Sequence, residues 1–534
     1  MEVRLLSAAL LTGRVTTICR GVLAALLLIA GLSAGLAFSA ASTAALPRLH
    51  AEPDIERGGR IMDSKGREVL LRGVNVNSLG QYWQGTEKPP TLPFDRHDPA
   101  RISQIGWNVV RLIVSWSRVE PQPGEYNERY LDRVERWIDR LEANGVYTII
   151  DFHQDAWGAT LAAPPGETCP APSQPGFGWD GAPGWATFDD DLPRCFTNAR
   201  ELNPAVRAAW TAFFEDRKAA GGVGIQTRYA RTLRHVANKF AKSSAVAGID
   251  IMNEPNALGQ EDNDALGPFY AAAVKAIRAG EKSGRGFRHL ILFEPSVLWS
   301  LIGSGAPPTF GMDRNLVYSP HLYGGSIGGE GPPSRESFET ALAEAKTFGG
   351  APVLTGEWGG DPGRATGKDD DYFNSHQALQ EEFRIGATVW TWKQSCGDPH
   401  AATHDPGTAP PLPPWGLYRM DCEDGNNRIV GQFGHLRTDL RRAYVRRAPG
   451  RLLDTSYLQA GRIFEAAGTR NRRVSGQVEI FYPQVQASVK IDEPFPRHRI
   501  STRILGRGKH RGMVISIPVK PGDWSIEIRP GRVK

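Results

Sequence analysis

From about residue 71 to residue 392, short runs of Val, Ile and Leu alternate with longer stretches whose apolar positions recur every three to four residues. Eight runs read as strands: 71–76, 108–114, 147–152, 246–252, 289–293, 316–321, 352–357 and 386–392. Most are apolar throughout, as expected of strands covered on both faces. Between them, 127–144 places Leu131, Val134, Ile138 and Leu141 on one helical stripe, and 268–280 and 334–348 have the same period. Strand and helix alternating in this way predict a parallel sheet of βα units, and eight of them predict a (β/α)8 barrel over residues 50–445. Past residue 449 the pattern changes to short alternating strands, 478–482, 487–491, 512–517 and 524–528, divided by Gly and Pro turns. These predict an all-β sandwich over 450–534, packed directly on the barrel because no low-complexity linker intervenes.

The first 45 residues stand apart. Arg4, Arg14 and Arg20 precede an apolar run over 21–38 and small residues at 40–45, the layout of a secretory signal peptide. The other reading is an uncleaved anchor, since about 18 apolar residues lies near the lower limit for a membrane span. Either places the remainder outside the cell. Cys19 falls in this segment and leaves Cys169, Cys195, Cys396 and Cys422, an even number suited to an oxidising compartment. Of three possible pairings, the local ones, Cys169 with Cys195 and Cys396 with Cys422, are expected, because each would staple one of two long Gly- and Pro-rich connections, 153–203 and 393–433. No two of these cysteines have the short spacing of a zinc site.

The net charge of +5 conceals an asymmetry: residues 441–534 hold twenty Lys/Arg against seven Asp/Glu, so the rest is acidic. A basic C-terminal face suits peripheral contact with anionic lipid; a solvated Arg-rich surface is the plainer alternative. No nucleic-acid motif is present, and a monomer is expected.

Two glutamates end strands where a barrel builds its site. Glu254 closes Asp250-Ile251-Met252-Asn253-Glu254-Pro255 on the fourth strand, and Glu357 closes Thr355-Gly356-Glu357-Trp358-Gly359 on the seventh. Retaining hydrolysis of a glycosidic bond needs two carboxyls about 5 Å apart, one to protonate the leaving oxygen and one to attack the anomeric carbon. With Arg111 in Asn108-Val109-Val110-Arg111, His153 in Asp151-Phe152-His153-Gln154-Asp155, and His321-Leu322-Tyr323, followed by Trp390-Thr391-Trp392, the chain resembles glycoside hydrolase family five. The resemblance implies that Glu254 is the acid/base, Glu357 the nucleophile, and Asn253 a partner of the sugar 2-hydroxyl. Arg111 and Tyr323 would flank Glu357 and keep it ionised, whereas Glu254 should have a raised pKa. His153 and His321 would complete the floor, and Trp392 would stack on the sugar. A metal held by the two histidines is the competing idea, but no third ligand is evident; no metal and no cofactor are expected, both reacting groups being side chains.

Asp151-Phe152-His153-Gln154-Asp155-Ala156-Trp157-Gly158 is most similar to endoglycoceramidases and related glycolipid glycosidases. That makes Asp155 a sugar-hydroxyl acceptor and the expected activity cleavage of the glycan–ceramide bond of glycosphingolipids. Trp157, Phe177, Trp179, Trp185, Phe188, Trp415 and Tyr418 would either line a lipid groove or form the cores of the two stapled loops. Cellulase-like, mannanase-like and steryl-glucosidase-like activities remain alternatives, as does a non-catalytic glycan- or lipid-binding barrel.

Overall fold

The computed structural model describes residues 45–534 apart from 197–198, 312, 328–330, 363–371, 403–413, 475, 493–498, 507–510 and 532–534. The signal expected over 1–45 thus falls outside the described residues, save residue 45. Eight strands, Arg72–Val76, Val109–Val114, Tyr147–Phe152, Val246–Asp250, Leu290–Phe293, Leu316–Tyr318, Leu354–Trp358 and Gly386–Val389, form one parallel sheet. The eighth strand pairs with the first, Ala387 opposite Arg72. The sixth and seventh meet through a parallel bridge between Tyr318 and Val353. The sheet therefore closes into the expected (β/α)8 barrel. Strands four, six and eight stop two or three residues before their expected ends: 251–252, 319–321 and 390–392 are buried but keep only isolated backbone hydrogen bonds to neighbouring strands, such as Ile251 to Leu292 and Ser319 to Phe293. They leave the ladder to build the mouth.

Alternation along each strand explains how the barrel interior changes from apolar to charged. On the second strand Val109, Arg111 and Ile113 face inward while Val110, Leu112 and Val114 pack under the helices. On the third, Tyr147 and Ile149 lie at the bottom with Asp151 above them. Leu290, Leu292, Val317 and Leu354 complete this apolar bottom layer, closed from below by Leu46, Leu49, Ala51, Ile61 and Val69. Outside, the helix Glu128–Glu142 buries Leu131, Val134, Ile138 and Leu141 on the expected stripe, and Asn127 caps it by accepting from the Tyr130 amide. The helix expected over 268–280 is longer, Gln260–Ser283, with Pro268 in its interior.

The C-terminal region is β-rich. Strands Tyr444–Pro449, Gln477–Tyr482, Ser501–Leu505 and Gly512–Pro518 join Leu49–Glu52, Arg60–Asp63 and Arg67–Val69 in one seven-stranded sheet, so segments on both sides of the barrel sequence share it. Arg451–Leu458, Ile463–Arg470, Ala487–Ile491 and Gly522–Pro530 form a four-stranded sheet. Leu452, Phe464, Ile526 and Ile528 of the small sheet and Val478, Ile480, Ile515 and Ile517 of the large one belong to a single buried cluster, as in a sandwich. It packs against the turns that enter barrel strands two and three. The Tyr444 hydroxyl donates to the Gly106 carbonyl at 2.8 Å, and Arg446 donates to that of Gly145 at 3.2 Å. Gly106, at φ +106°, leaves no room for a side chain: a Cβ would lie 2.3 Å from the Phe481 ring. The basic sandwich therefore sits at the end of the barrel opposite the mouth. Disulfides join Cys169 to Cys195 and Cys396 to Cys422, each within one long connection. Among the described residues no helix is long and apolar enough to cross a membrane.

Candidate active site

Glu357 lies within the seventh strand, and Glu254 follows the end of the fourth by four residues. One carboxylate oxygen of each, together with a ring nitrogen of His321, falls within a 4.8 Å span, the proximity that direct nucleophilic attack on a sugar carbon demands. Glu254 holds a left-handed backbone, φ +37°, which an L-residue adopts only where its surroundings enforce it. Its N–H donates to Glu294 Oε2 at 2.7 Å, and its carbonyl and that of Asn253 both accept from Gln154 Nε2, at 2.8 and 2.7 Å.

Arg111 is fully buried and organises the carboxylates around it. It donates to Glu357 Oε1 at 2.9 Å, Asp250 Oδ2 at 2.9 Å, Glu294 Oε1 at 2.8 Å and Asn253 Oδ1 at 3.0 Å, and stands 3.0 Å from Asp151 Oδ1. The Tyr323 hydroxyl donates to the other oxygen of Glu357 at 2.8 Å. His321 reaches Glu254 Oε1 at 2.9 Å through Nδ1 and lies 3.1 Å from Glu294 through Nε2 and 3.6 Å from Glu357. Ser300 also donates to Glu254 Oε1. Burial disfavours a charged His321, but Glu294, Glu357 and Glu254 outweigh it and hold its pKa well above the ordinary range. The expected raised pKa of Glu254 is not found. Burial pushes it up, yet the hydrogen bond and charge of His321 win and hold it below the ordinary range. Burial raises Glu357 against the opposing charges of His321 and Arg111.

His153 and Asp155 belong to a second, adjoining polar group. His153 Nδ1 is 2.7 Å from Asp151 Oδ2. Asp155 Oδ1 accepts from Arg200 at 2.6 Å, and Oδ2 lies 3.2 Å from His400, which in turn meets Asp398 at 2.8 Å. Asp155 is held well below the carboxylate range because Arg200 and His400 overcome the effect of burial. An oxygen of the buried Asp180 completes a tight group with His153 and Asp155. Either triad, His153–Asp155–Asp180 or Glu254–His321–Glu357, offers ligand types a cation could use, but each already contains or faces cationic side chains: His153, Arg200 and His400 in one, His321 and Arg111 in the other. His153 and His321 fall in different groups, so they share no ligand shell.

Trp392 requires correction. Expected to stack on sugar, it is 1% exposed and packs edge-on against Tyr418 in the core. Trp390 takes the place beside the site, stacked 5.4 Å from His153 and clustered with Ile113 and Tyr323. The paired strand ends at Val389, three residues short of Trp392. Of the loop aromatics, Trp157 is buried among Trp116, Trp210 and Phe213, and Tyr418 against Trp392. Trp185 packs on Trp116, Phe177 on Trp83 and Phe196, and Phe188 under Arg217. Trp179, beside His400 and Arg200, and Trp415, beside Tyr323, adjoin polar residues of the mouth, and the Trp157 amide donates to Gln154 Oε1 at 3.0 Å. Sequence reasoning did not single out Glu294, Ser300, Asp180, Arg200 or His400. Glu294 could have been found as a carboxylate directly after the fifth strand; the others come from loops without a pattern.

A parallel barrel with two adjacent glutamates at the C-terminal ends of strands four and seven defines the glycoside hydrolase class. The chain belongs to the cellulase family, glycosyl hydrolase family 5, whose family model matches residues 62–395. Its fold is similar to the crystal structure of an endogalactoceramidase, with 35% identity, a TM-score of 0.75, and coverage of 91% of this chain and 100% of that one. It is 30% identical over 289 residues to endoglycoceramidase I of Rhodococcus hoagii, covering 50% of this chain and 52% of the relative. To an endoglycoceramidase of Cyanea nozakii it is 26% identical over 299 residues, 49% of this chain and 55% of the relative. The chain thus spans about half the length of these curated relatives.

Proposed function

We propose that the chain is an exported retaining β-glycosidase that cleaves the bond between a glycan and a ceramide-like lipid, in the manner of an endoglycoceramidase. The placement of Glu254 beside Glu357, with Arg111 and Tyr323 on the latter, carries this reading. In the first step Glu357 attacks the anomeric carbon as its bond to the aglycone oxygen breaks, and Glu254 gives that oxygen a proton. In the second, Glu254 takes a proton from water, whose oxygen displaces Glu357 and releases the sugar with its β configuration retained. Arg111 and Tyr323 favour the ionised nucleophile. Glu254, with 12% of its side chain exposed in the free site, acquires its proton as a bound substrate strips away the remaining water. Asn253, Asp155, His153, His321 and Trp390 would hold the glycone.

The lipid aglycone rests on the likeness to an endogalactoceramidase and on the rim. Because Glu254 protonates the leaving oxygen, the aglycone departs on its side. There the helical turn Trp299–Ile302 carries Ser300 onto Glu254 and leaves Leu301 and Ile302 more than half exposed, apolar side chains suited to lipid. Contact between the basic sandwich and a lipid surface would occur at the other end of the barrel and could not feed the mouth at the same time. The family's cellulase description supports the rival reading, a soluble β-glucan substrate. Hydrolysis of a glycosphingolipid in detergent, a soluble β-glucan and an aryl β-glycoside by wild type and Glu357→Gln separates them. Release of intact glycan and ceramide by wild type alone supports the proposal. Cleavage of the glucan only would remove the lipid, and turnover unchanged in Glu357→Gln would remove the mechanism.

A further inference from the structure

Asp180 is used by no step above, and its surroundings are unusual. It lies in the long connection after strand three, between Trp179 and Gly181, and its backbone is clamped there. The Asp155 amide donates to the Asp180 carbonyl at 3.2 Å, and the Ser117 amide donates to that of Gly181 at 2.9 Å. Gly181 stands at φ +124°, where a Cβ would lie 2.5 Å from that of Gln154, so the segment has one way to lie. This points the Asp180 side chain into the glycone group, where it is 0% exposed and neither carboxyl oxygen has a hydrogen-bond partner among the described residues. A fully buried carboxylate without partners is a costly arrangement.

Charge balance resolves it. The groups facing Asp180 come from four parts of the chain. Asp151, His153 and Asp155 end strand three, Arg200 closes its loop, Asp398 and His400 follow strand eight, and the phenol of Tyr82 follows strand one. Asp151 pulls His153 up against the effect of burial, and Asp155 with Asp398 pulls His400 up to about 10, so both are cations. With Arg200, and with Arg111 3.0 Å from Asp151, they offset Asp151, Asp155, Asp398 and the Glu201 paired to Arg200 at 2.5 Å. An ionised Asp180 would be a surplus negative charge in a dry site.

Resting on the glycosidase reading above, we propose that Asp180 is a positioning residue, a neutral carboxylic acid whose proton is donated to Asp155 and fixes that carboxylate for the glycone hydroxyls. The acceptor is at hand. An oxygen of each acid lies within 4.8 Å of the other's; Arg200 takes Asp155 Oδ1 at 2.6 Å, and Oδ2 has only the longer ion-pair contacts of His400 at 3.2 Å and His153 at 3.5 Å, neither aligned as a hydrogen bond. A neutral acid supplies the O–H that the anion lacks, and two carboxyls this close share one proton rather than ionise together. Burial and the Asp155 charge, against His153, push Asp180 up to about 8. Above that pH the two acids repel, and Asp155 loses its hold on the sugar.

The test uses the full chain, a soluble aryl β-glycoside, and the variants Asp180→Asn, which keeps a donor that cannot titrate, and Asp180→Leu. Wild-type KM should climb roughly tenfold per pH unit above about pH 8, the slope of a single ionisation. Asp180→Asn should hold KM level over the same range, and Asp180→Leu should raise it at every pH. A KM that climbs equally in wild type and Asp180→Asn overturns the proposal. The melting temperature gives a readout independent of turnover. A carboxyl whose folded pKa lies above its unfolded one stabilises the fold most at low pH, and that contribution is lost as pH rises toward the folded value. The difference in Tm, wild type minus Asp180→Asn, should therefore fall steadily from pH 4 to pH 8. Parallel Tm curves overturn the proton on Asp180 even if no glycoside is cleaved. Wild-type inactivity on every glycoside, with diverging Tm curves, would instead locate the failure in the glycosidase reading.

Discussion

Replacing His321 with Gln should move the whole pH profile toward alkali. The imidazolium holds Glu254 down through a 2.9 Å hydrogen bond and acts on Glu357 from 3.6 Å without one. Gln retains a donor and removes the charge, so the loss is the difference between charged and neutral hydrogen bonds. That difference is about 1 to 1.5 kcal/mol, or about one pKa unit on Glu254. With Glu254 keeping its proton to higher pH, the alkaline limb of kcat/KM should shift upward by about one unit. Glu357 also loses a neighbouring cation, so its pKa and the acid limb rise too, but by less, given the longer distance. The bell should thus shift and broaden slightly. Measuring kcat/KM for a soluble aryl β-glycoside between pH 4 and 9 avoids complications from lipid solubility. A bell that merely shrinks in place, or an alkaline limb moving toward acid, would show that His321 does not set the proton affinity of Glu254.

Trp390→Ala should raise KM roughly tenfold, the scale of one lost stacking contact, whereas Trp392→Ala should leave KM nearly unchanged and cost about 3–5 kcal/mol of stability in urea unfolding as a cavity in the core. Changing Leu301 and Ile302 together to Ser should slow release of glycan from glycolipid vesicles about tenfold or more, each lost aliphatic group being worth about 1.5 kcal/mol or more of transfer energy, and leave aryl β-glycoside turnover unaltered. Removing Cys396–Cys422 as a double Ser variant opens a bond spanning 26 residues; about 3 kcal/mol of chain-entropy stabilisation should be lost, seen as a lower urea midpoint, and an unchanged midpoint would contradict it.

The barrel was legible because its signal is local. Near-continuous apolar runs such as 109–114 and 147–152 mark buried parallel strands, and the stripe through Leu131, Val134, Ile138 and Leu141 marks a helix packed on them. Motifs in and just past the barrel strands likewise pointed to Arg111, Asn253, Glu254, His321, Tyr323 and Glu357, since inward-facing residues toward the C-terminal end of a barrel strand lie at the mouth. What the local pattern could not carry was anything decided by the meeting of distant segments. Pairing of 49–69 with the C-terminal sheet depends on partners almost 400 residues away. Trp390 rather than Trp392 adjoins the site, because past Val389 the chain leaves the paired strand and its neighbours, His153 for one ring and Tyr418 for the other, come from distant segments. Asp180, Arg200 and His400 converge on Asp155 from separate loops, and a charge's consequence depends on its neighbours' distances rather than its place in the chain. For the same reason the pKa of Glu254 ran opposite to expectation: the residue and its burial could be anticipated from sequence, but the 2.9 Å contact with His321 that reverses the shift exists only once strands four and six are closed into one barrel.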